Sequence, residues 1–223
     1  MLTDAHRWDI IHQKTQRDSE GHSAYAEEKE RDFPRSSLIC DLGGGTGADA
    51  FYFLKQGHKV ILFDISKYAL DSAVSRIKEA GLEKNLVTKE VDFGLEKIPL
   101  KKDSVDIVYS RIALHYFPFS ETRSIFKTIH EALKVGGRAF ITFKSPEDDA
   151  EMEYLKVSAV EYEPGVYIEN GQLRSRFTIE QLKKILEGAG IHHYEIRPYK
   201  ELLGSDASGI PQVLLLYEII FTK

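Results

Sequence analysis

A run of glycines between a strand-like segment and a helical one constrains this chain more than any other feature. Leu38-Ile39-Cys40 leads into Asp41-Leu42-Gly43-Gly44-Gly45-Thr46-Gly47, and a helical pattern runs from Thr46 to Gln56. Glycines allow a tight turn and let a ligand approach the backbone without meeting a β-carbon. The helix that follows presents free N–H groups and the positive end of its dipole. Thr46 is expected to cap that helix, with Asp49 three residues later in a capping-box-like position. A glycine loop in this strand–loop–helix setting binds nucleotide-like ligands.

The rest of the chain reads as an alternation around this loop. Strands are expected over Lys59 to Ile65, Leu86 to Phe93, Val105 to Ser110 and Arg138 to Phe143. Helices are expected over Lys67 to Ala80 and Ser120 to Lys134, the second stopped by Gly136-Gly137. Such alternation implies right-handed crossovers and a mostly parallel sheet with helices on both faces. Glu147 to Val160 then reads as a helix, and Val166 to Phe177 as a hairpin turning at Asn170-Gly171. Thr178 to Glu187 is a helix with Thr178 and Gln181 as a capping box. Two strands close the chain, His193 to Tyr199 and Gln212 to Phe221, joined by a Gly/Ser/Asp/Pro loop as an antiparallel pair. The expected organisation is one domain over 1–223, with an N-terminal helical extension (1–34) and an insert (146–177).

Composition narrows the classes. The 223 residues carry 30 basic and 35 acidic side chains, a net charge of -5, so phosphate neutralisation is not the expected mode of binding and no nucleic-acid partner is expected. No apolar stretch nears the ~20 residues of a membrane span, and the N-terminal run lacks a signal peptide's apolar middle. The single cysteine, Cys40, fits a reducing compartment. A cytoplasmic protein without membrane association is expected, as monomer or homodimer.

Two further acids select the ligand. Asp64 ends the second strand, 21 residues after Gly43, beside the loop, where it can accept from ribose hydroxyls. Asp92 ends the third strand, placed to accept from an adenine amino group, with Phe93 against the ring. Gly43, Gly45 and Ala48 also satisfy the G-x-G-x-x-G/A dinucleotide pattern, so the loop alone leaves NAD open and a nicotinamide-dependent oxidoreductase as an alternative. Asp41 before the glycines favours a cationic ligand over a pyrophosphate. The Tyr25 to Lys29 pair lies upstream of the loop, the wrong place for a short-chain dehydrogenase.

On these residues the chain resembles the class I S-adenosylmethionine-dependent methyltransferases, broadly the tellurite-resistance-type small-molecule enzymes. The resemblance is carried by DLGGGTG, LFDIS, EVDF, DIVYSRIALHYF and LKVGGRAFITF, across roughly 37–143. Val135 stands where the family's Leu-Lys-Pro-Gly-Gly turn has proline. The resemblance implies a Rossmann-like sheet of order 3-2-1-4-5-7-6 with strand seven antiparallel, and S-adenosylmethionine as cofactor. It carries over Asp41, Gly43, Gly45 and Gly47 as the cofactor loop, Asp64 for ribose and Asp92 for adenine. Gly44, Thr46, Ile65, Phe93, Ser110 and Arg111 complete the expected cofactor-binding set. A non-catalytic S-adenosylmethionine-binding protein is a further alternative.

Methyl transfer needs a nucleophile in line with the S–CH₃ bond, and positioning supplies much of the rate. The segment after the fourth strand lies at the carboxyl end of the sheet. There His115 is a candidate proton acceptor, and Tyr116, Phe117 and Phe119 are candidate pocket walls. His115 and Tyr116 are the candidate catalytic residues, acting on a small-molecule acceptor. Arg111 can meet the cofactor's carboxylate, a substrate anion or a nearby acid. Seven acids against Lys156 over 147–163 form either a field for a cationic amine or a solvated helix face. Tyr162, Tyr167, Arg174 and Arg176 are further substrate candidates. The extension, with Trp8, His6, His12 and His22, is either a lid or a packed helix. No metal is expected, because no Cys or carboxylate set accompanies the histidines at ligand spacing.

Overall fold

The computed structural model describes residues 4–15, 21–205 and 211–223. Two helices, α1 (Asp4–Thr15) and α2 (Ala24–Glu30), precede the sheet. The alternation then runs β1 (Leu38–Leu42), α3 (Ala48–Lys55), β2 (Lys59–Asp64), α4 (Lys67–Glu79), β3 (Leu86–Glu90), β4 (Val105–Arg111), α5 (Phe119–Ala132) and β5 (Leu133–Lys144). An insert of α6 (Asp149–Ser158), β6 (Val160–Glu163), β7 (Val166–Glu169) and β8 (Gln172–Ser175) follows. The chain ends with α7 (Ile179–Gly188), β9 (Tyr194–Ser205) and β10 (Pro211–Thr222). The loop expected over 200–211 is shortened, since β9 continues to Ser205 and β10 begins at Pro211, and 206–210 lie outside the described residues.

Seven strands form one sheet in the order β3-β2-β1-β4-β5-β10-β9. β10 runs antiparallel to both its neighbours, and the pairs among β1 to β5 are parallel. This is the Rossmann-like order expected, with β9 and β10 as the sixth and seventh strands of the sheet. Period-two alternation divides the core. Ile39, Val60, Leu62, Ile107, Tyr109 and Phe140 face α2, α3 and α4, while Cys40, Leu42, Val108, Ile141, Phe143 and Phe221 face α5 and α7. Each fully buried Leu or Phe contributes roughly 1.5–3 kcal/mol relative to exposure. Among the described residues no helix is long and apolar enough to cross a membrane.

Three local expectations are corrected. The pair Gly136-Gly137 does not stop a helix: α5 ends at Ala132, and β5 begins at Leu133, buried and paired with Val105. The glycines lie in the strand, where Gly136 N–H donates to Lys223 O and Gly137 O accepts from Lys223 N–H, with a register shift against β4. The helix of the insert ends at Ser158, because Val160 already pairs with Ile168 in a three-stranded antiparallel sheet. Thr46 does not cap α3: Gly47 is the N-cap at φ 70°, without a side-chain cap. Asp49 instead accepts from Ser23 N–H at 2.7 Å and Ser23 Oγ at 2.9 Å, and from the buried Tyr109 hydroxyl at 2.7 Å. It thereby ties the start of α2 to the sheet. The hairpin turn at Asn170-Gly171, with both residues at positive φ, and the Thr178–Gln181 capping box are as read.

The acids of the insert are mostly committed to its own framework. Asp148 caps α6 by accepting from Glu151 N–H, Glu163 accepts from Phe119 N–H, and Glu147 accepts from the Tyr217 hydroxyl. Glu151 takes both Nε (3.0 Å) and Nη2 (2.8 Å) of Arg176, whose side chain is buried, and lies 3.4 Å from Lys144 Nζ. Burial pushes the Glu151 carboxyl up, but Arg176 and Lys144 outweigh it and hold it below its ordinary 4.5. A depressed carboxyl contributes stability that is present above its unfolded value and is lost as pH falls through the folded one. Glu151→Gln should therefore cost about 2 kcal/mol in urea unfolding at pH 7, because Arg176 keeps hydrogen bonds and loses its counter-charge. The gap between variant and wild type should close below pH 4.5.

Candidate functional site

A cleft of about 460 Å³ opens at the carboxyl ends of β1, β2 and β4. Its floor is the glycine loop. Gly43, Gly45 and Gly47 sit at φ 70°, 54° and 70°, left-handed values that disfavour side chains. A β-carbon on Gly43 would overlap that of Ala113, and one on Gly44 would overlap the Asp41 carboxylate. The loop is pinned to β2, since Gly43 N–H donates to Phe63 O and Gly45 N–H to Asp64 Oδ2 at 2.8 Å. Asp64 Oδ1 accepts from Ser66 N–H at 2.8 Å.

Asp41 is the most informative side chain here. It is 1% exposed, and neither carboxylate oxygen has a hydrogen-bond partner. Burial pushes its carboxyl well above the usual range, Asp49 and Asp64 add to this, and Arg111 opposes it. A buried carboxylate without a donor is expensive unless a ligand supplies the partner. An ammonium group on the ligand is the natural complement.

The remaining predicted residues divide. Thr46, Ile65, Asp92, Phe93 and Arg111 line the cleft with Asp41, Gly43, Gly44, Gly45 and Asp64. Asp92 Oδ1 accepts from Gly94 N–H at 2.9 Å. Gly47 serves the loop as the α3 N-cap, packed toward Ala73 and Leu62. Ser110 is fully buried, its hydroxyl donating to Leu42 O at 2.8 Å, so it staples β4 to β1 outside the cleft lining. Arg111 is paired with Glu201 of β9 through Nε and Nη2. Burial works against its charge, and the Glu201 carboxylate more than compensates.

Of the two catalytic candidates, Tyr116 lines the cleft and His115 does not. His115 is 1% exposed with Nδ1 unpartnered, and its ring lies 4.2 Å behind that of Tyr116. Burial, then the charges of Arg176, Lys144 and Arg174, hold its imidazole neutral, well below the usual range. Tyr116 is backed by Arg174, whose Nη1 donates to its hydroxyl at 3.3 Å, and meets Trp8 edge-on at 5.2 Å. Burial raises its phenol above the ordinary value, with Arg174 and Arg176 opposing, so it stays protonated at neutral pH. Arg176 is taken by Glu151, and Tyr162 is an exposed residue of β6. Neither they nor Tyr167 and Arg174 line the cleft.

Trp8 and His12, named on an extension read as either a lid or a packed helix, line the cleft, as do Asp4 from α1 and Gln172 from β8, which the sequence did not single out. No spacing links α1 to the glycine loop. Asp9 Oδ1 accepts from Ser66 Oγ (2.6 Å) and Tyr68 N–H (3.1 Å), and Arg7 Nη2 donates to Asn170 O (2.9 Å), which lays α1 across the cleft.

A ligand cleft at the carboxyl ends of a parallel sheet, above a glycine loop, defines a Rossmann-like binder of a nucleotide-containing cofactor. Residues 39–137 match the family model described as a methyltransferase domain. Over this segment, and in its fold, the chain is similar to the class I S-adenosylmethionine-dependent methyltransferases. It is 29% identical over 118 residues to the uncharacterized methyltransferase YcgJ of Bacillus subtilis, covering 52% of this chain and 45% of that protein. It is 27% identical over 115 residues to the tRNA 5-carboxymethoxyuridine methyltransferase of Escherichia coli, covering 49% and 41%. The match thus spans under half the length of these relatives. The fold is shared with TehB from Haemophilus influenzae at TM-score 0.66 and 18% identity, over 97% of this chain and 67% of that one. The match to methyltransferases, one structural neighbour of which holds S-adenosylhomocysteine, decides between the two ligands the loop left open in favour of S-adenosylmethionine. The orphaned Asp41 and the loop without β-carbons fit it.

A raised buried acid contributes stability below its unfolded pKa and costs stability as pH climbs toward the folded value. Asp41→Asn should therefore raise the melting temperature of the free protein at pH 7 by a few degrees and abolish the thermal shift given by S-adenosylhomocysteine. In the wild type, calorimetric binding heats should vary with the buffer's ionisation enthalpy, because Asp41 sheds its proton when the ammonium docks.

Proposed function

We propose that this protein transfers the methyl group of S-adenosylmethionine to a small-molecule acceptor by in-line displacement, an activity of the EC 2.1.1 class. The observation that carries the choice of acceptor is the charge and shape of the cleft. Asp4, Asp41, Asp49, Asp64 and Asp92 line it, and the guanidinium of Arg111 is spent on Glu201. An acidic pocket repels a polyanionic backbone, which needs neutralising Lys and Arg. Its volume is that of a pocket for a small ligand. Trp8, Phe93, Tyr116 and Phe117 give the free end aromatic walls, with Gln172 the neutral polar group among them.

Bound S-adenosylmethionine supplies the electrophilic methyl group. Around it, Asp41 holds the ammonium, Asp64 the ribose and Asp92 the adenine edge, so the reacting end is fixed from three directions. Trp8, Tyr116 and Phe117 exclude water and confine the acceptor, which converts binding into alignment. Tyr116, held protonated, donates a hydrogen bond to an acceptor oxygen or nitrogen. His115, sealed behind it, maintains the wall and moves no proton. This reading replaces the proton-accepting role expected of His115.

Two measurements test the proposal. At a hundredfold excess over Kd, S-adenosylhomocysteine should add about 2.7 kcal/mol, which is about 5–10 °C for a chain of this size, and Asp64→Ala should remove the shift. With methyl-labelled S-adenosylmethionine, label should enter a panel of aromatic, heterocyclic and thiol acceptors, and none should enter bulk tRNA. Labelling of tRNA alone would make the protein an RNA methyltransferase. Cofactor binding without transfer to either would make it a non-catalytic binder.

A further inference from the structure

The cofactor side of the cleft has a wall outside the segment that matches the methyltransferase family. His12, on α1, stands over the glycine loop so closely that a β-carbon at Gly45 would lie 2.9 Å from its Cε1. Gly45 is the residue whose N–H is bound by Asp64. The imidazole therefore shares one corner of the cleft with the carboxylate assigned to the ribose. Its electrostatic partners are Asp64, from the end of β2, and Asp9, from its own helix. Desolvation outweighs both and keeps the ring neutral, the form that can both donate to and accept from a hydroxyl.

His12 is not what docks the helix. α1 is fastened through one turn, by Asp9 to the start of α4, by Arg7 to the hairpin turn and by Trp8 against Tyr116. Those contacts hold α1 in place and leave the imidazole to face the ligand space. We propose that His12 is a cofactor-binding residue, contacting the ribose of S-adenosylmethionine at the corner of the cleft that it shares with Asp64. The inference rests on the methyltransferase reading above. It makes the cofactor site a composite of the glycine loop and a helix 30 residues upstream, so that cofactor binding and docking of α1 reinforce one another.

Calorimetric titration separates the possibilities. The probes are S-adenosylhomocysteine and 5′-methylthioadenosine, which keeps the adenosine and lacks the amino-acid part. Trp8 is the one tryptophan of the chain, and its fluorescence reports whether α1 is docked. His12→Ala should weaken both ligands by about five- to tenfold, the range of one hydrogen bond, with the melting temperature of the free protein unchanged and, although the imidazole lies 5.8 Å from the indole, without the shift of Trp8 emission that undocking gives. His12→Gln, which keeps a donor and an acceptor, should recover most of the loss. Asp9→Ala should instead shift Trp8 emission, marking what undocking looks like. Unchanged affinity for both ligands in His12→Ala would overturn the assignment. Loss confined to S-adenosylhomocysteine would also overturn it, by moving the contact to the amino-acid end. A loss that His12→Gln does not recover, or one accompanied by the Asp9→Ala emission change, would reduce His12 to packing and overturn it too. A wild type that binds neither ligand would fail the cofactor reading itself.

Discussion

The clamp between the glycine loop and the end of β2 organises this molecule. Asp64 receives Gly45 N–H on one oxygen and Ser66 N–H on the other, while Phe63 O receives Gly43 N–H. One short stretch of β2 thus sets the path of the loop, and Ser66 in turn caps α4. The loop can follow that path because three of its glycines occupy left-handed backbone space. Ser66 also receives α1 through Asp9, so the helix laid across the cleft takes its position from the same residues. Floor, wall and roof of the site are referred to a single corner of the sheet.

Against this rigid frame stands a local expense. Asp41 is held dry and unpartnered at the end of β1, where an apolar or amide side chain would be cheaper for folding alone. Stability is given up there so that a cationic ligand meets a desolvated counter-charge, with an interaction stronger than the same pair would have in water. The rest of the framework carries the deficit. Lys29 and Glu218 pair at 2.6 Å between α2 and β10, and Arg176, just past β8, pairs with Glu151 of α6. The first holds the extension against the sheet, and the second braces the insert, which Lys144 of β5 joins to the sheet through the same Glu151.

The two halves of the site were legible to different degrees. Asp41, the glycines, Asp64 and Asp92 lie at the ends of successive parallel strands, and period and spacing along the chain place such residues side by side. The acceptor side has no such rule. His115 and Tyr116 are neighbours in sequence, yet one is sealed behind the other, because β8 is stitched along 115–117 by Ser175 N–H to His115 O. The acids of the insert read as a charge field, and most of them turned out to be caps and ion-pair partners. Thr46 and Asp49 matched a local capping pattern, but a distant donor pair, Ser23 and Tyr109, claimed the carboxylate instead.

The sequence by itself determined the fold class and the cofactor loop, through hydrophobic period, glycine conformational freedom and short spacing, while the strand order came only with the family resemblance that its motifs carry. Only the tertiary structure decided that His12 and Trp8 border the cleft, that Arg111 is spent on Glu201 and that His115 is out of reach. Each of these depends on contacts between segments far apart in the chain: 90 residues separate Arg111 from Glu201, and 163 separate Arg7 from Asn170. Side-chain geometry and competition for partners settle such contacts, and neither is written in any local pattern.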